Sequence, residues 1–189
     1  MTRGKRLPKV LTPDEQRALV SQPSPRYVSG LRNRCLLRVM LEVGLRAGEV
    51  VALRPEHLDM LTCRLVVREG KGAKDRVLWI SDDLRDLIGR WLARRPVSPW
   101  LFATRDGGQL DTRYLRTMVK QYAVKAGLPE AERVSPHVLR HTFATDLLRQ
   151  TKNIRLVQKA LGHSDLSTTM IYTHVCDEEL EEALRRREA

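Results

Sequence analysis

The sequence predicts a mainly α-helical protein with a small antiparallel β-sheet, an α+β fold. Most apolar residues recur at helical spacing, several segments begin with a helix-capping residue, and one pair of β-branched stretches flanks a glycine-containing turn. With 189 residues, 42% of them hydrophobic, the chain is long enough to bury a core of its own.

Capping residues and apolar spacing predict the first two helices. Thr12 is a suitable N-cap, Pro13 fits the first helical position and Glu15 closes a capping box. The apolar residues of a second helix recur every four positions, at Leu31, Cys35, Val39 and Val43. Gly44 provides a left-handed end to this helix, so Arg46 is expected at a junction between helices.

The sheet is predicted as a single hairpin. Cys63 to Arg68 and Arg76 to Ile80 are β-branched or apolar stretches, and the segment between them is rich in glycine and lysine. Two antiparallel strands joined by a flexible, basic tip are therefore expected.

Further helices are predicted in the second half of the chain. Three of them begin at capping residues, namely Ser81, Asp111 and Ser135, and the second stops at Gly127. A shorter helix is predicted from Ile154 to Leu161, ending at Gly162, and a further turn from Ser167 to Tyr172.

The charge balance favours a polyanionic partner. Lys and Arg number 34 against 23 Asp and Glu, a formal charge of +11, which suits nucleic acid. A basic protein without such a partner is the alternative. Cys35, Cys63 and Cys176 are far apart and lack metal-ligand spacing, and no run of 18 apolar residues occurs, so a cytoplasmic protein with reduced thiols and no membrane partner is expected.

Several polar residues stand where packing does not require them. Arg46 follows a helix-ending glycine, Lys71 lies between two glycines, and His163 follows another glycine. His137 and Arg140 are three residues apart in a predicted helix, so they share a face and could meet one bound anion together. This arrangement is typical of a phosphate clamp.

Four segments carry a resemblance to a known family. They are Gly44 to Glu49 (GLRAGE), Gly70 to Lys74 (GKGAK), His137 to Thr145 (HVLRHTFAT) and Leu161 to Tyr172, which opens with LGHSD. In order and spacing they resemble the signature motifs of tyrosine recombinases, the phage-integrase class of DNA strand-transfer enzymes, and the chain is most similar to Xer-type recombinases over residues 11–176. The resemblance implies the tyrosine recombinase catalytic-domain fold.

The resemblance also implies the chemistry. The scissile DNA phosphate would be surrounded by Arg46, Lys71, His137, Arg140 and His163, and attacked by Tyr172. His137 would be the general base and Lys71 the general acid, with Lys74 as a nearby competitor. A 3′-phosphotyrosyl bond keeps the energy of the broken phosphodiester, so rejoining needs no ATP, and no metal or other cofactor is expected. Glu49 is interpreted as a support that holds an arginine in place.

Two other site types are disfavoured by the residues themselves. His137 and His141 have the i, i+4 spacing of a zinc helix, but Val138 stands where a metalloprotease has glutamate, and no third ligand is obvious. Gly72 follows Lys71 where a nucleotide-binding loop needs serine or threonine, which argues against ATP binding.

The expected organisation is a basic extension (1–10), a catalytic domain (11–176) and a C-terminal amphipathic helix (177–189) that could be exchanged between subunits. The resemblance implies a monomer when free and a tetramer on double-stranded DNA, associated with the nucleoid. These recombinases commonly carry an additional core-binding domain, and this chain begins about where the catalytic domain would. The chain alone is therefore expected to bind DNA weakly and with little selectivity.

Two alternative functions remain open at this point. Ile154 to Tyr172 also fits a helix-turn-helix, the motif of a non-enzymatic DNA-binding protein, but that interpretation leaves Arg46 and Lys71 unexplained. A type IB topoisomerase-like enzyme would use the same nucleophile and clamp, and would rejoin only the original strand.

Overall fold

The computed structural model describes residues 9–68 and 75–162. Within these ranges it contains seven α-helices, three β-strands and two single-turn 3-10 helices, at Pro55–His57 and Ala131–Arg133. The helices are α1 (Pro13–Ser21), α2 (Val28–Val43), α3 (Ala47–Ala52), α4 (Asp82–Leu92), α5 (Thr112–Lys125), α6 (Pro136–Thr151) and α7 (Ile154–Leu161). The strands are β1 (Leu58–Asp59), β2 (Arg64–Val67) and β3 (Arg76–Trp79). The predicted fold class is confirmed.

Helix α2 forms the centre of the hydrophobic core. Most of its side chains are buried, Leu36 and Met40 among them, and helices α1, α4 and α6 pack around it. Gly44 ends α2 as predicted, with a φ of 67°. The chain turns there, and Arg46 becomes the N-cap of α3. The predicted helix junction at Arg46 is thereby confirmed.

The predicted helix starts are also confirmed by their caps. Thr12 and Glu15 form a capping box at the start of α1. Side chains of Ser81, Asp111 and Ser135 each accept a hydrogen bond from a main-chain N–H in the first turn of α4, α5 and α6. These caps satisfy N–H groups that have no partner inside their own helix.

The sheet is antiparallel with strand order β1-β2-β3. Leu65 pairs with Leu78 and Val67 pairs with Arg76, and all four side chains are buried on one face, whereas Trp79 is exposed on the other. Strand β1 was not predicted because its two residues are too few to show an alternating pattern. The register places Arg76, a charged residue, on the face of the sheet that is turned toward the core.

Both strands of the hairpin are shorter than the sequence predicts. Cys63 has a φ of 55°, so it leaves the extended conformation and β2 begins at Arg64. Strand β3 ends at Trp79, although the N–H of Ile80 still donates to the carbonyl of Cys63 over 3.0 Å.

Helices α6 and α7 pack together through a small apolar cluster of their own. Ala144 and Leu148 of α6 meet Val157 and Leu161 of α7. Helix α7 also lies beside β3 and ends at Gly162 as predicted. This packing brings the end of α7, strand β3 and helix α6 close together.

Several predictions concern residues outside the described ranges. They are the turn from Ser167 to Tyr172, the amphipathic helix from Asp177 to Arg187 and most of the basic extension, so the proposed division into 1–10, 11–176 and 177–189 stays a prediction. Among the helices of residues 9–68 and 75–162, none is long and apolar enough to cross a membrane.

Candidate active site

Arg46 is presented by the turn between α2 and α3. Its main-chain N–H donates to Oε2 of Glu49 over 2.7 Å, and its Nη1 donates to Oε1 of Glu49 over 2.9 Å. Because Glu49 lies in the first turn of α3, this double contact fixes both the backbone and the guanidinium of Arg46. The Arg46 side chain is still 45% exposed, which leaves part of its positive charge facing solvent.

Arg140 lies on α6 and is held by two helix ends. Its Nη1 donates to the carbonyl of Gly44 over 2.6 Å and its Nη2 to the carbonyl of Leu161 over 2.7 Å. These carbonyls belong to the C-terminal ends of α2 and α7, where helix dipoles favour a cation. The planar fork of arginine offers donors to two main-chain acceptors at once.

Glu49 connects the two arginines. Its Oε2 lies 3.8 Å from Nη1 of Arg140, so one carboxylate contacts Arg46 directly and lies near Arg140. Burial would raise the pKa of Glu49, but hydrogen bonds from Arg76 and from the main-chain N–H of Arg46, together with the charges of Arg76 and Arg140, hold that pKa below its ordinary value. The interpretation of Glu49 as a support for an arginine agrees with these contacts.

Arg76 is a residue of this cluster that the sequence analysis missed. Its side chain is buried and forms a two-pronged ion pair with Glu49, with Nη1 to Oε1 at 3.0 Å and Nη2 to Oε2 at 2.8 Å. A signal did exist, because alternation in β3 puts Arg76 on the same face as the buried Leu78. A charge at an inward-facing strand position indicates a buried ion pair.

His137 and Arg140 share α6 but differ in their surroundings. The Arg140 side chain is buried, whereas His137 is exposed and its Nε2 lies 2.8 Å from Nε2 of His141. This contact requires one of the two ring nitrogens to accept the hydrogen bond. His141 is buried, which agrees with its interpretation as a structural histidine.

The remaining predicted site residues lie outside the described ranges. Lys71 falls in the segment between β2 and β3, His163 follows Gly162 at the end of α7, and Tyr172 comes nine residues later in the sequence. The structure thus brings Arg46 and Arg140 together, sets His137 on the helix of Arg140, and describes the strands that border Lys71. Within residues 9–68 and 75–162, no three His, Cys, Asp or Glu side chains are arranged as metal ligands.

The charges of this cluster suit an anion. Three guanidinium groups, those of Arg46, Arg76 and Arg140, gather around the carboxylate of Glu49, so these four side chains together carry an excess of positive charge. A phosphate group matches the geometry of an arginine fork and would meet the exposed member, Arg46, first.

Known proteins resemble this chain along most of its length. Residues 9–179 match the family model described as the phage integrase family. The tyrosine recombinase XerD of Caulobacter vibrioides is 39% identical over 187 residues, covering 94% of this chain and 61% of the relative. The tyrosine recombinase XerA of Pyrococcus horikoshii is 40% identical over 186 residues, covering 96% of this chain and 62% of the relative.

A solved structure has the same fold. The XerH site-specific recombinase, in a post-cleavage complex with a palindromic difH substrate, superposes with a TM-score of 0.84 at 30% identity. The match covers 100% of this chain and 56% of that protein. This chain spans about three-fifths of the length of the curated relatives it matches, at 61% and 62%. From its motifs, its fold and a family match over residues 9–179, the chain belongs to the phage integrase family.

Proposed function

We propose that this chain is the catalytic part of a site-specific DNA recombinase that cuts and rejoins DNA strands through a 3′-phosphotyrosyl intermediate. The observation that carries the proposal is the convergence of Arg46 and Arg140 on Glu49, from positions far apart in the chain. Family membership and a similar recombinase captured with DNA after cleavage support the same activity.

The proposed cleavage step needs a nucleophile, an acid and fixed positive charge. The phenolic oxygen of Tyr172 attacks the phosphorus and gives its proton to His137, while the bond from phosphorus to the 5′ oxygen breaks. Lys71 supplies the proton that the departing 5′ oxygen takes up as it becomes a hydroxyl. His163, Arg46 and Arg140 contact the phosphate oxygens, on which negative charge increases in the transition state.

Rejoining is the reverse step with a different strand. A 5′ hydroxyl from a second strand attacks the phosphorus and gives its proton to Lys71, while the bond from phosphorus to the oxygen of Tyr172 breaks and that oxygen regains its proton from His137. Because the phosphotyrosyl bond conserves the energy of the phosphodiester, the reaction needs no nucleotide. Arg46 and Arg140 supply the positive charge that a metal ion provides in other phosphoryl transfers.

The partners are part of the proposal. Double-stranded DNA is the substrate, and four copies would assemble on it so that two duplexes can exchange strands, whereas the free chain would be a monomer. A DNA-cleaving enzyme of this kind would work in association with the nucleoid.

Covalent trapping tests the chemistry. The chain is incubated without metal with nicked suicide duplexes, and protein–DNA adducts are separated on a denaturing gel. We expect an adduct from the unchanged chain and none from Tyr172→Phe. Tyr27→Phe is the matched control, because the Tyr27 side chain is exposed and removing its hydroxyl should leave the adduct yield unchanged.

The outcomes separate the alternatives. An adduct that survives in Tyr172→Phe would mean that another residue is the nucleophile. If a genuine recombination site gives no adduct although the chain binds it, the helix-turn-helix interpretation is favoured. If the trapped strand rejoins only its original partner when a second duplex with a free 5′ hydroxyl is present, the activity is that of a topoisomerase.

A further inference from the structure

One buried charge, that of Arg76, lies in the cluster formed by Arg46, Arg140 and Glu49 but has no part in the proposed chemistry. Arg76, the first residue of β3, is 7% exposed, as is Arg140, but each of its three guanidinium nitrogens donates to an acceptor within the protein, which leaves Arg46 and Arg140 as the arginines assigned to the DNA phosphate. The guanidinium of Arg76 donates to both oxygens of Glu49, and its Nε donates to the carbonyl of Ala160 over 3.0 Å. Burying a guanidinium is costly unless its partners are well placed, as they are here.

These contacts join α3 and α7, the two helices that help to hold Arg46 and Arg140. Glu49 is the residue in α3 that binds Arg46. Ala160 precedes Leu161 in the last turn of α7, and the carbonyl of Leu161 accepts a hydrogen bond from Arg140. Arg76 therefore contacts Glu49, which binds Arg46, and Ala160, which is next to the residue whose carbonyl binds Arg140. It also lies on the strand that follows the segment containing Lys71 in the sequence.

The charge distribution gives Arg76 a second effect. Oε1 of Glu49 accepts hydrogen bonds from both Arg46 and Arg76, at 2.9 and 3.0 Å, and Arg76 also occupies Oε2. Without Arg76, the carboxylate of Glu49, whose side chain is 11% exposed, would be balanced mainly by Arg46 and Arg140, and it would draw both guanidinium groups toward itself. With Arg76 in place, Arg140 stays 3.8 Å from Glu49 and keeps its bonds to main-chain carbonyls.

We propose that Arg76 is a positioning residue for DNA cleavage: by neutralising Glu49 and joining β3 to α3 and α7, it leaves the charges of Arg46 and Arg140 directed at the scissile phosphate. The inference rests on the proposed recombinase function. It assigns a role in the reaction to a residue that does not touch the DNA.

The test compares Arg76→Gln with Arg64→Gln. Arg64 lies on the neighbouring strand of the same hairpin, on the exposed side, so both substitutions remove one positive charge but only the first disturbs Glu49. The readouts are the Kd for a suicide duplex and the single-turnover rate of adduct formation at saturating DNA. In Arg76→Gln we expect the adduct rate to fall about 10²-fold, the size of effect that a small misplacement of reacting groups produces. Its Kd should change no more than that of Arg64→Gln, whose rate stays at the wild-type value.

Two further variants guard against a simple folding defect. Arg76→Lys keeps the charge but cannot form the two-pronged pair, so it should remain folded and cleave at an intermediate rate. The double variant Glu49→Gln with Arg76→Gln removes both charges of this ion pair, so neither Glu49 nor Arg76 is left charged without the other. If Arg76 acts through Glu49, the double variant should form the adduct no more slowly than the slower single variant, because both substitutions remove the same interaction.

Three results would overturn the proposal. One is a wild-type adduct rate in folded Arg76→Gln or Arg76→Lys. Another is a double variant whose rate loss is the product of the two single losses. The third is a structural result, needed if the unchanged chain forms no adduct and the recombinase function itself is in question. In that case the positioning role of Arg76 is tested by the side-chain Nε–Hε NMR signal of Arg140. If this signal is the same in Arg76→Gln as in Arg64→Gln, the proposal fails.

Discussion

Replacing Gly44 by alanine is expected to destabilise the protein by about 2–5 kcal/mol. Gly44 has a φ of 67°, where a side chain costs about 1–2 kcal/mol. An added Cβ would also lie 2.1 Å from Cδ1 and 2.8 Å from Cγ of Phe143. The whole aromatic ring must move, not only its edge, and overpacking of this kind typically costs about 1–3 kcal/mol more.

Two matched glycines separate these contributions. Gly127 has a φ of 65° but no atom within 4 Å of an added Cβ, so Gly127→Ala should cost only the backbone part, about 1–2 kcal/mol. Gly89 lies inside α4, where the nearest atom is Cε of Met60 at 3.6 Å, so Gly89→Ala should raise stability by up to about 1 kcal/mol. The difference between Gly44→Ala and Gly127→Ala measures the clash with Phe143.

The assay is urea unfolding followed by circular dichroism, combined with the adduct rate. The carbonyl of Gly44 accepts a hydrogen bond from Arg140 over 2.6 Å, so a shift of this turn should also slow adduct formation in Gly44→Ala and not in Gly127→Ala. If the two variants have the same free energy of unfolding, the ring of Phe143 moves aside without cost and the packing argument is refuted.

Three other predictions concern single buried groups. Arg140→Lys should lower the free energy of unfolding by about 1–3 kcal/mol, because one ammonium cannot replace the fork that serves the carbonyls of Gly44 and Leu161. The same variant should slow adduct formation by about 10²–10³-fold, and an unchanged rate would contradict the role of Arg140. Because the pKa of Glu49 is lowered in the folded state, its ionised carboxylate stabilises the fold at pH values above its ordinary pKa of 4.5. This contribution is lost as the pH falls through the folded-state pKa. Acid titration of stability should therefore be less steep in Glu49→Gln than in the unchanged chain, and equal slopes would argue against the ion pairs. Burial raises the pKa of Cys35 from 9.0 to about 12, so its thiol stays protonated in the folded state while the unfolded chain ionises. The contribution of this thiol to stability should be constant below pH 9.0 and fall toward pH 12. Cys35→Ala should therefore reduce the loss of stability in alkaline urea titrations, an expectation that identical slopes would exclude.

Local features of the fold were predictable from the sequence. The capping box at Thr12, the caps at Ser81 and Asp111, and the left-handed end at Gly44 were all predicted, because each depends on residues within one turn of the helix. The hairpin was also predicted, but not β1, since two residues carry no alternation. Cys63 was placed in a strand because propensity alone does not reveal its φ of 55°.

The site was predictable only in part. The motifs predicted Arg46 and Arg140 as site residues, and Glu49 was interpreted as a support that holds an arginine in place. Arg76 was missed because its partners, Glu49 and Ala160, lie 27 and 84 positions away in the chain. Such contacts depend on how β3, α3 and α7 pack, which no local pattern describes.

The sequence by itself determined the helical fold class, the positions of most helix ends and the family to which the chain belongs, because these depend on local backbone energetics and on the order of short motifs. Only the tertiary structure decided that Arg140 is buried between two helix ends while His137, on the same helix, is exposed. It also decided that one carboxylate is surrounded by three guanidinium groups. The physical reason is that a buried charge is stable only where several elements bring partners to it, and packing alone determines which elements meet.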